Sequence, residues 1–267
     1  MPEFDPWTDL RSFTAARIAL GRAGASLPTS ETLRFGLAHA QARDAVLQPF
    51  DSETVAAALH AMNLKTLTVR SGAPDRQAYL RRPDLGRVLS EASRDELRAR
   101  PLEPCDLLLV IGDGLSSCAV HRQPAGLIGA LLPYLNALGL SLGPVVLAHQ
   151  ARVALGDEIG GLLKSKAVAV LIGERPGLSS PDSLGVYLTW NPQPSARIDS
   201  ERNCISNIRP QGLPQDVAAF KLAWLLEQSF LRRLTGIALK DESDNPALYQ
   251  KVRPYTALRL EAAGPDF

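Results

Sequence analysis

The run Ala167-Val168-Ala169-Val170-Leu171-Ile172-Gly173 constrains this chain most. It is apolar throughout, rich in valine and of strand length, as expected of a strand covered on both faces, and such strands belong to parallel sheets flanked by helices. The run stops at Gly173. The charged pair Glu174-Arg175 follows, then a loop stiffened by Pro176 and Pro181 around Gly177, then a second short strand through Tyr187. Open α/β sheets bind ligands outside the carboxyl ends of their strands, so a carboxylate and a guanidinium here are site candidates ahead of the same residues on a helix face.

The preceding residues repeat the pattern. Asp106 to Ile111 predicts a buried strand, Gly112-Asp113-Gly114-Leu115-Ser116-Ser117 a turn, and Ser117 to Leu138 an apolar helix interrupted near Pro124 and Pro133. Pro144 to Ala148 predicts a strand and Asp157 to Lys164 a short helix. Strand, helix, strand, helix, strand implies a parallel sheet with right-handed crossovers, a Rossmann-like α/β domain over residues 101–240. Residues 1–100 are expected to form an N-terminal helical region. Its helices run from Thr8 toward Gly21, carrying Leu10, Phe13 and Ile18; from Thr29 or Ser30, with Leu33, Leu37 and Ala40 on one face; from Asp51; and from Arg81-Arg82-Pro83-Asp84 to about Arg98. One short strand, Leu64 to Val69, interrupts them. Pro214 to Arg233 predicts the longest amphipathic helix; residues 201–208, neither a clean strand nor a helix, predict a turn; and the tail 241–267 has no assignment.

Charge and cysteine usage exclude several classes. With 29 Lys and Arg against 28 Asp and Glu, the net charge is +1 and no basic block stands out, so neither nucleic acid nor an anionic membrane is the expected partner. No apolar run reaches the roughly 18 residues of a bilayer span. The acidic start, Met1 to Asp9, does not resemble a targeting segment, and Cys105, Cys118 and Cys204 lack CxxC spacing, which fits the cytoplasm.

Candidate motifs carry different weights. The Gly112 to Ser117 turn matches a dinucleotide fingerprint poorly, since Ser117 replaces the third glycine and Asp113 would repel a pyrophosphate. It is expected instead to expose Asp113 and Ser116 to a neutral ligand or a partner. No G-x-S-x-G elbow surrounds Ser116, Ser117, Ser179 or Ser180. A free-standing serine-dependent small-molecule hydrolase using Ser116 or Ser179 is the rival reading, and a purely structural subunit is another. His39, His60, His121 and His149 stand far apart without HExxH or a Cys/His cluster, so a protein-held metal is not expected. Asp157 and Glu158 suit the start of a helix through its dipole.

Six segments resemble the small subunit of ethanolamine ammonia-lyase: Gly21-Arg22-Ala23-Gly24, Leu80 to Gly86, Ile111 to Ser116, Asp157-Glu158-Ile159-Gly160, Gly173 to Leu178, and Asn203 to Ile208. They span roughly residues 10 to 240 in the family's order. The resemblance implies an adenosylcobalamin-dependent, cobalt-containing lyase that converts ethanolamine to acetaldehyde and ammonia. It implies that this chain covers the dimethylbenzimidazole side of the corrin. A large barrel subunit would hold substrate over the adenosyl side, within a higher hetero-oligomer. Carried over by motif, the cofactor contacts are Val153, Glu174 and Cys204, with no catalytic residue on this chain. Longer family members carry an N-terminal extension linked to packaging in a bacterial microcompartment; no such segment is matched here, and the resemblance leaves both the cytoplasm and such a compartment open. Corrin is an apolar disc fringed with amides, so its pocket needs an apolar floor with scattered donors and acceptors. Glu174 can accept hydrogen bonds, and Val153 and Cys204 can offer backbone groups. None of the four histidines follows an acid by two residues, so the cofactor is expected to keep its own dimethylbenzimidazole on cobalt.

Overall fold

The computed structural model describes residues 7–14, 16–101, 103–194 and 198–244. Its strands are β1 (Thr66–Arg70), β2 (Leu107–Gly112), β3 (Val145–His149), β4 (Ala167–Gly173), β5 (Leu184–Trp190) and β6 (Asn203–Ile208). Its α-helices, among the described residues, are α1 (Thr29–Leu47), α2 (Ser52–His60), α3 (Arg76–Arg81), α4 (Glu91–Ala99), α5 (Ser117–Arg122), α6 (Pro124–Leu138), α7 (Leu155–Leu162) and α8 (Gln215–Arg232). The strands form one sheet in the order β1-β3-β2-β4-β5-β6.

The sheet is mixed, not wholly parallel as predicted. β1, β3, β2 and β4 run parallel, whereas β5 is antiparallel to β4 and β6 antiparallel to β5. Residues 174–183 explain the reversal: parallel neighbours need a crossover of a dozen or more residues, and this loop is too short to supply one. Most of the expected turn over residues 201–208 is strand β6, from Asn203 to Ile208. Its period of two is broken because Asn207 takes φ +60° and the register against β5 shifts between Leu184 and Val186. Such a bulge brings Ile205 and Ile208, three apart in sequence, to the same buried face.

Alternate residues of the central strands feed two cores, as the strand period demands. Leu107, Leu109 and Ile111 pack with α2, α5, α6 and α8, while Leu108, Val110, Val168 and Val170 pack with α4 and α7. Cover on both faces is why the run through β4 has no polar positions. Pro124 begins α6 as expected, but Pro133 sits inside that helix without ending it.

The first hundred residues depart further from expectation. The helix predicted from Thr8 is only a 3-10 turn, Thr8–Ser12, with Leu10 and Phe13 exposed. A helix that short is not stable without a buried face. In α1 the buried residues are Ala38 and Ala45; Leu33, Phe35, Leu37 and Leu47 face outward, so the predicted apolar stripe is present but uncovered. The helix expected from Arg81 to Arg98 is three pieces: α3, a 3-10 turn over Leu85–Arg87, and α4. Pro83 disfavours helical backbone at Arg82, which ends α3, and the Ser90 side chain caps α4 by accepting from the Ser93 N–H at 3.3 Å. Among the described residues no helix is long and apolar enough to cross a membrane.

Two histidines flank one buried ring. His121 and His149 lie 5.8 and 5.0 Å from Phe50 between ring centroids. The Asp51 N–H donates to His121 Nε2 at 2.9 Å, and His149 Nε2 lies 3.0 Å from Ser52 Oγ. Burial lowers both pKa values; Asp51 opposes the shift at His121 and Arg70 adds to it at His149. Because the folded imidazoles resist protonation, the unfolded chain binds more protons as pH falls through about 6.5, and stability falls with it. Thermal melts between about pH 7.5 and 5.5 should show that loss, flattened in the variant combining His121→Gln with His149→Gln. An unchanged slope in the double variant would assign the dependence to other groups.

Candidate functional site

A hollow of about 400 Å³ opens at the carboxyl ends of the parallel strands, lined among others by Tyr79, Gly114, Arg152, Val153, Glu174 and Tyr187. This is where an open α/β sheet receives ligands. A larger hollow, about 560 Å³, lies at the opposite end of the sheet against Lys65, Pro144 and Cys105. It gathers none of the motif residues, so the smaller one is the candidate site.

Backbone contact builds the floor. The Leu115 N–H donates to the Gly173 carbonyl at 2.9 Å, joining the β2–α5 turn to the end of β4. Side chains have no room there: a Cβ on Gly173 would stand 2.1 Å from the Ser116 carbonyl oxygen. The end of β3 is tied in through Asp113, whose carboxylate accepts from the Gln150 and Ala151 N–H groups at 3.0 and 2.9 Å and lies 3.5 Å from Arg76. Burial pushes the Asp113 pKa up while Arg76 and the two N–H groups pull it back.

Asp113 and Ser116 are therefore structural, contrary to the expectation that the turn exposes them. Both are buried, at 1% and 0% exposure. Ser116 Oγ donates to the Pro181 carbonyl at 2.7 Å and accepts from the Ala119 N–H at 3.2 Å as the cap of α5. A hydroxyl so engaged and so enclosed offers nothing to a hydrolase mechanism.

Val153 and Glu174 line the same hollow, and Cys204 stands next to it. Glu174 leaves the end of β4; its carboxylate accepts from Ser183 Oγ at 2.5 Å and from the Asn207 N–H at 3.2 Å, fixing it between the loop and β6. An ionised carboxylate has about four acceptor sites, so these two bonds leave capacity for a ligand. Val153 precedes α7, its carbonyl accepts from the Gly156 N–H at 3.0 Å, and its own N–H makes no hydrogen bond among the described residues. Cys204 is exposed on β6, opposite Tyr187 in the strand register. Burial, then the neighbouring Cys204 and Glu174, raise the Tyr187 phenol above its ordinary pKa. Tyr187 is thus a ring beside Cys204 and Glu174, and it lines the hollow together with Val153.

Sequence reasoning missed Tyr79, Arg76 and Arg152. Tyr79 is fully buried, its hydroxyl donating to the Ala151 carbonyl at 2.9 Å, with the Arg76 and Arg152 guanidinium carbons 4.9 and 4.3 Å from its ring centroid. Gly86 makes that stack possible, since a Cβ there would meet both Arg152 and Tyr79 at 2.9 Å. The segment Leu80 to Gly86 holds this signal as one glycine, legible only once its neighbour in space is known. The Asp157-Glu158 pair is likewise more than a dipole match. Asp157 pairs with Arg202, and Glu158 accepts from Arg94 Nε at 2.6 Å and from the Leu89 N–H at 2.8 Å.

Among the described residues no group of three or more His, Cys, Asp or Glu side chains is gathered to hold a metal ion. The donor set suits an amide-fringed organic ligand instead: a carboxylate with spare lone pairs, an unused backbone N–H, an aromatic ring and a guanidinium.

Residues 4–240 match the family model described as ethanolamine ammonia-lyase light chain (EutC). The ethanolamine ammonia-lyase small subunit of Bradyrhizobium diazoefficiens is 56% identical over 243 residues, covering 91% of this chain and 93% of the relative. That of Rhodopseudomonas palustris is 54% identical over 242 residues, covering 91% and 92%. That of Xanthomonas campestris pv. campestris is 52% identical over 254 residues, covering 92% of each. With a family match over nearly its whole length and relatives above half identity, the chain belongs to the ethanolamine ammonia-lyase small-subunit (light-chain) family.

Proposed function

We propose that this chain binds adenosylcobalamin along the carboxyl edge of its sheet, covers the lower, dimethylbenzimidazole face of the corrin, and joins a large catalytic subunit that holds ethanolamine on the other face. The observation that carries this reading is that Val153, Glu174 and Tyr187 line one strand-end hollow, with Cys204 the cross-strand partner of Tyr187. A hollow of about 400 Å³ is within the range of drug-sized sites and smaller than a whole corrinoid needs, so this chain holds an edge and the partner the rest. The uncovered side chains of Leu33, Phe35, Leu37 and Leu47 on α1 support a large protein partner, since apolar patches of that kind mark interaction surfaces. When bound, the cofactor supplies the radical that starts the chemistry. The chain's own residues bind and orient: Glu174 accepts from corrin amides, the Val153 N–H donates, and Tyr187 offers an apolar surface. The complex is placed in the cytoplasm, consistent with three free cysteines.

The test is a cobalamin difference spectrum, recorded for this chain alone, for the large subunit alone and for the two together. A shift that needs both, with lyase activity from the pair and none from the isolated chain, is expected. Activity of the isolated chain would refute the reading. Within the complex, Glu174→Ala should raise the apparent cobalamin Kd about ten- to hundredfold, the worth of hydrogen bonds to a charged acceptor. Glu174→Gln, which keeps the acceptor for Asn207, should lose less. Unchanged affinity in the alanine variant would reduce Glu174 to a link between the loop and β6.

A further inference from the structure

The hollow at Glu174 continues past Arg152 and Val153 into a second, of about 330 Å³, lined also by Arg87, Ala154, Ile198, Asp199 and Arg202. Four arginines border this trough; Arg202 is paired with Asp157 and Asp199, and the other three are Arg152 where the hollows meet, Arg175 on one side and Arg87 on the other. Among the described residues none of the three forms an ion pair or a side-chain hydrogen bond. Glu174 is the one neighbouring carboxylate not paired with a cation, so the three outnumber the acid that faces them. Asp199 is paired with Arg202 at 3.1 Å, and the Glu174 carboxylate is held by Ser183 and Asn207.

Arg152 is the most telling of the three. Its guanidinium stacks on Tyr79 and its backbone N–H donates to the Gly86 carbonyl at 2.8 Å, so its position is set before any ligand arrives. Yet its Nε is buried with no hydrogen-bond partner. The terminal nitrogens of Arg152 are not enclosed in this way and likewise have no hydrogen-bond partner among the described residues, and a fixed, planar guanidinium favours an oxyanion over a neutral carbonyl. We propose that Arg152, with Arg87 and Arg175 around it, forms an anion subsite that holds the nucleotide-loop phosphate of the corrinoid. This rests on the cofactor-binding reading above and deepens it, because phosphate is the one permanent anion that a corrinoid brings to such a site.

The experiment uses the complex with the large subunit and three probes: cobalamin, cobinamide phosphate, and cobinamide, which lacks the phosphate. If the wild-type complex binds none of them, the cofactor reading fails. If it binds them, the subsite is tested separately. Arg152→Ala should weaken cobalamin and cobinamide phosphate about ten- to hundredfold and leave cobinamide within about twofold. Arg152→Lys, which keeps the charge but not the fork, should recover part of the loss. Equal loss on all three probes, or no loss on any, overturns the subsite. A second reading needs no variant. In the wild-type complex, the preference for cobinamide phosphate over cobinamide should shrink as salt rises from about 0.05 to 0.5 M, since part of it is electrostatic. A preference that is absent, or the same at both salt concentrations, overturns the proposal even if the Arg152 variants do not fold.

Discussion

Replacing Arg202 by Met should destabilise the chain by about 3 to 5 kcal/mol, the usual cost of stranding one member of a buried ion pair. The Arg202 and Asp157 side chains are only 2% and 3% exposed. Water therefore cannot take over the role of the missing guanidinium beside the buried Asp157 carboxylate. The second bond of Arg202, to Asp199, adds little, because Asp199 is 94% exposed and a pair with one solvated member is worth a fraction of a buried one. Chemical denaturation reads the loss. Pairing Arg202→Met with Asp157→Leu should recover much of it, since removing one partner of a buried pair costs more than replacing both by apolar groups. The pair also has a place in the site. It ties α7, which begins just after Val153, to the residue just before β6, which carries Cys204, so the single variant should also weaken cofactor binding. A loss below about 1 kcal/mol would put Asp157 in contact with solvent or another cation.

What could be read from the chain beforehand depended on whether the determining contacts were local. β2 and β4 are legible because cover on both faces leaves a continuous apolar run, and Glu174 is legible because it stands at the end of one. β6 is not, because the bulge at Asn207 removes the alternation that would announce a strand. The stripe on α1 was read correctly as spacing but not as burial, since periodicity reports which residues share a face and not what covers it. Pro83 was misplaced by a position that matters: it ends α3 and does not begin a longer helix. The antiparallel return of β5 was available from the length of loop 174–183 alone. The stack of Arg76, Tyr79 and Arg152 was not, because Arg152 lies far along the chain from the other two and only the β3 turn brings it to the ring. Val153 and Cys204 rest on family resemblance alone, because neither side chain carries a sign of ligand binding.

Replacing Gly173 by Ala should be the most damaging single change at the site, at about 4 kcal/mol or more, and should abolish cofactor binding with it. The added Cβ would stand 2.1 Å from the Ser116 carbonyl oxygen and 2.6 Å from that of Asp113, and both are backbone atoms of a turn held by its own hydrogen bonds. A flexible side chain could swing away; this turn can only separate from β4. Separation would break the bond from the Leu115 N–H to the Gly173 carbonyl and open the floor beneath Glu174. Gly114→Ala should act alike, since its Cβ would lie 2.3 Å from the Gly173 carbonyl oxygen and its φ is +54°. Left-handed backbone by itself accounts for only about 1 to 2 kcal/mol of such an effect. Gly139→Ala isolates that part: Gly139 has φ +65° at the end of α6, but nothing lies within 4 Å of its Cβ. It should therefore cost about 1 kcal/mol and leave cobalamin affinity intact. Similar losses at Gly114 and Gly139 would mean that the turn and β4 yield to one another, and that their close approach does not shape the hollow.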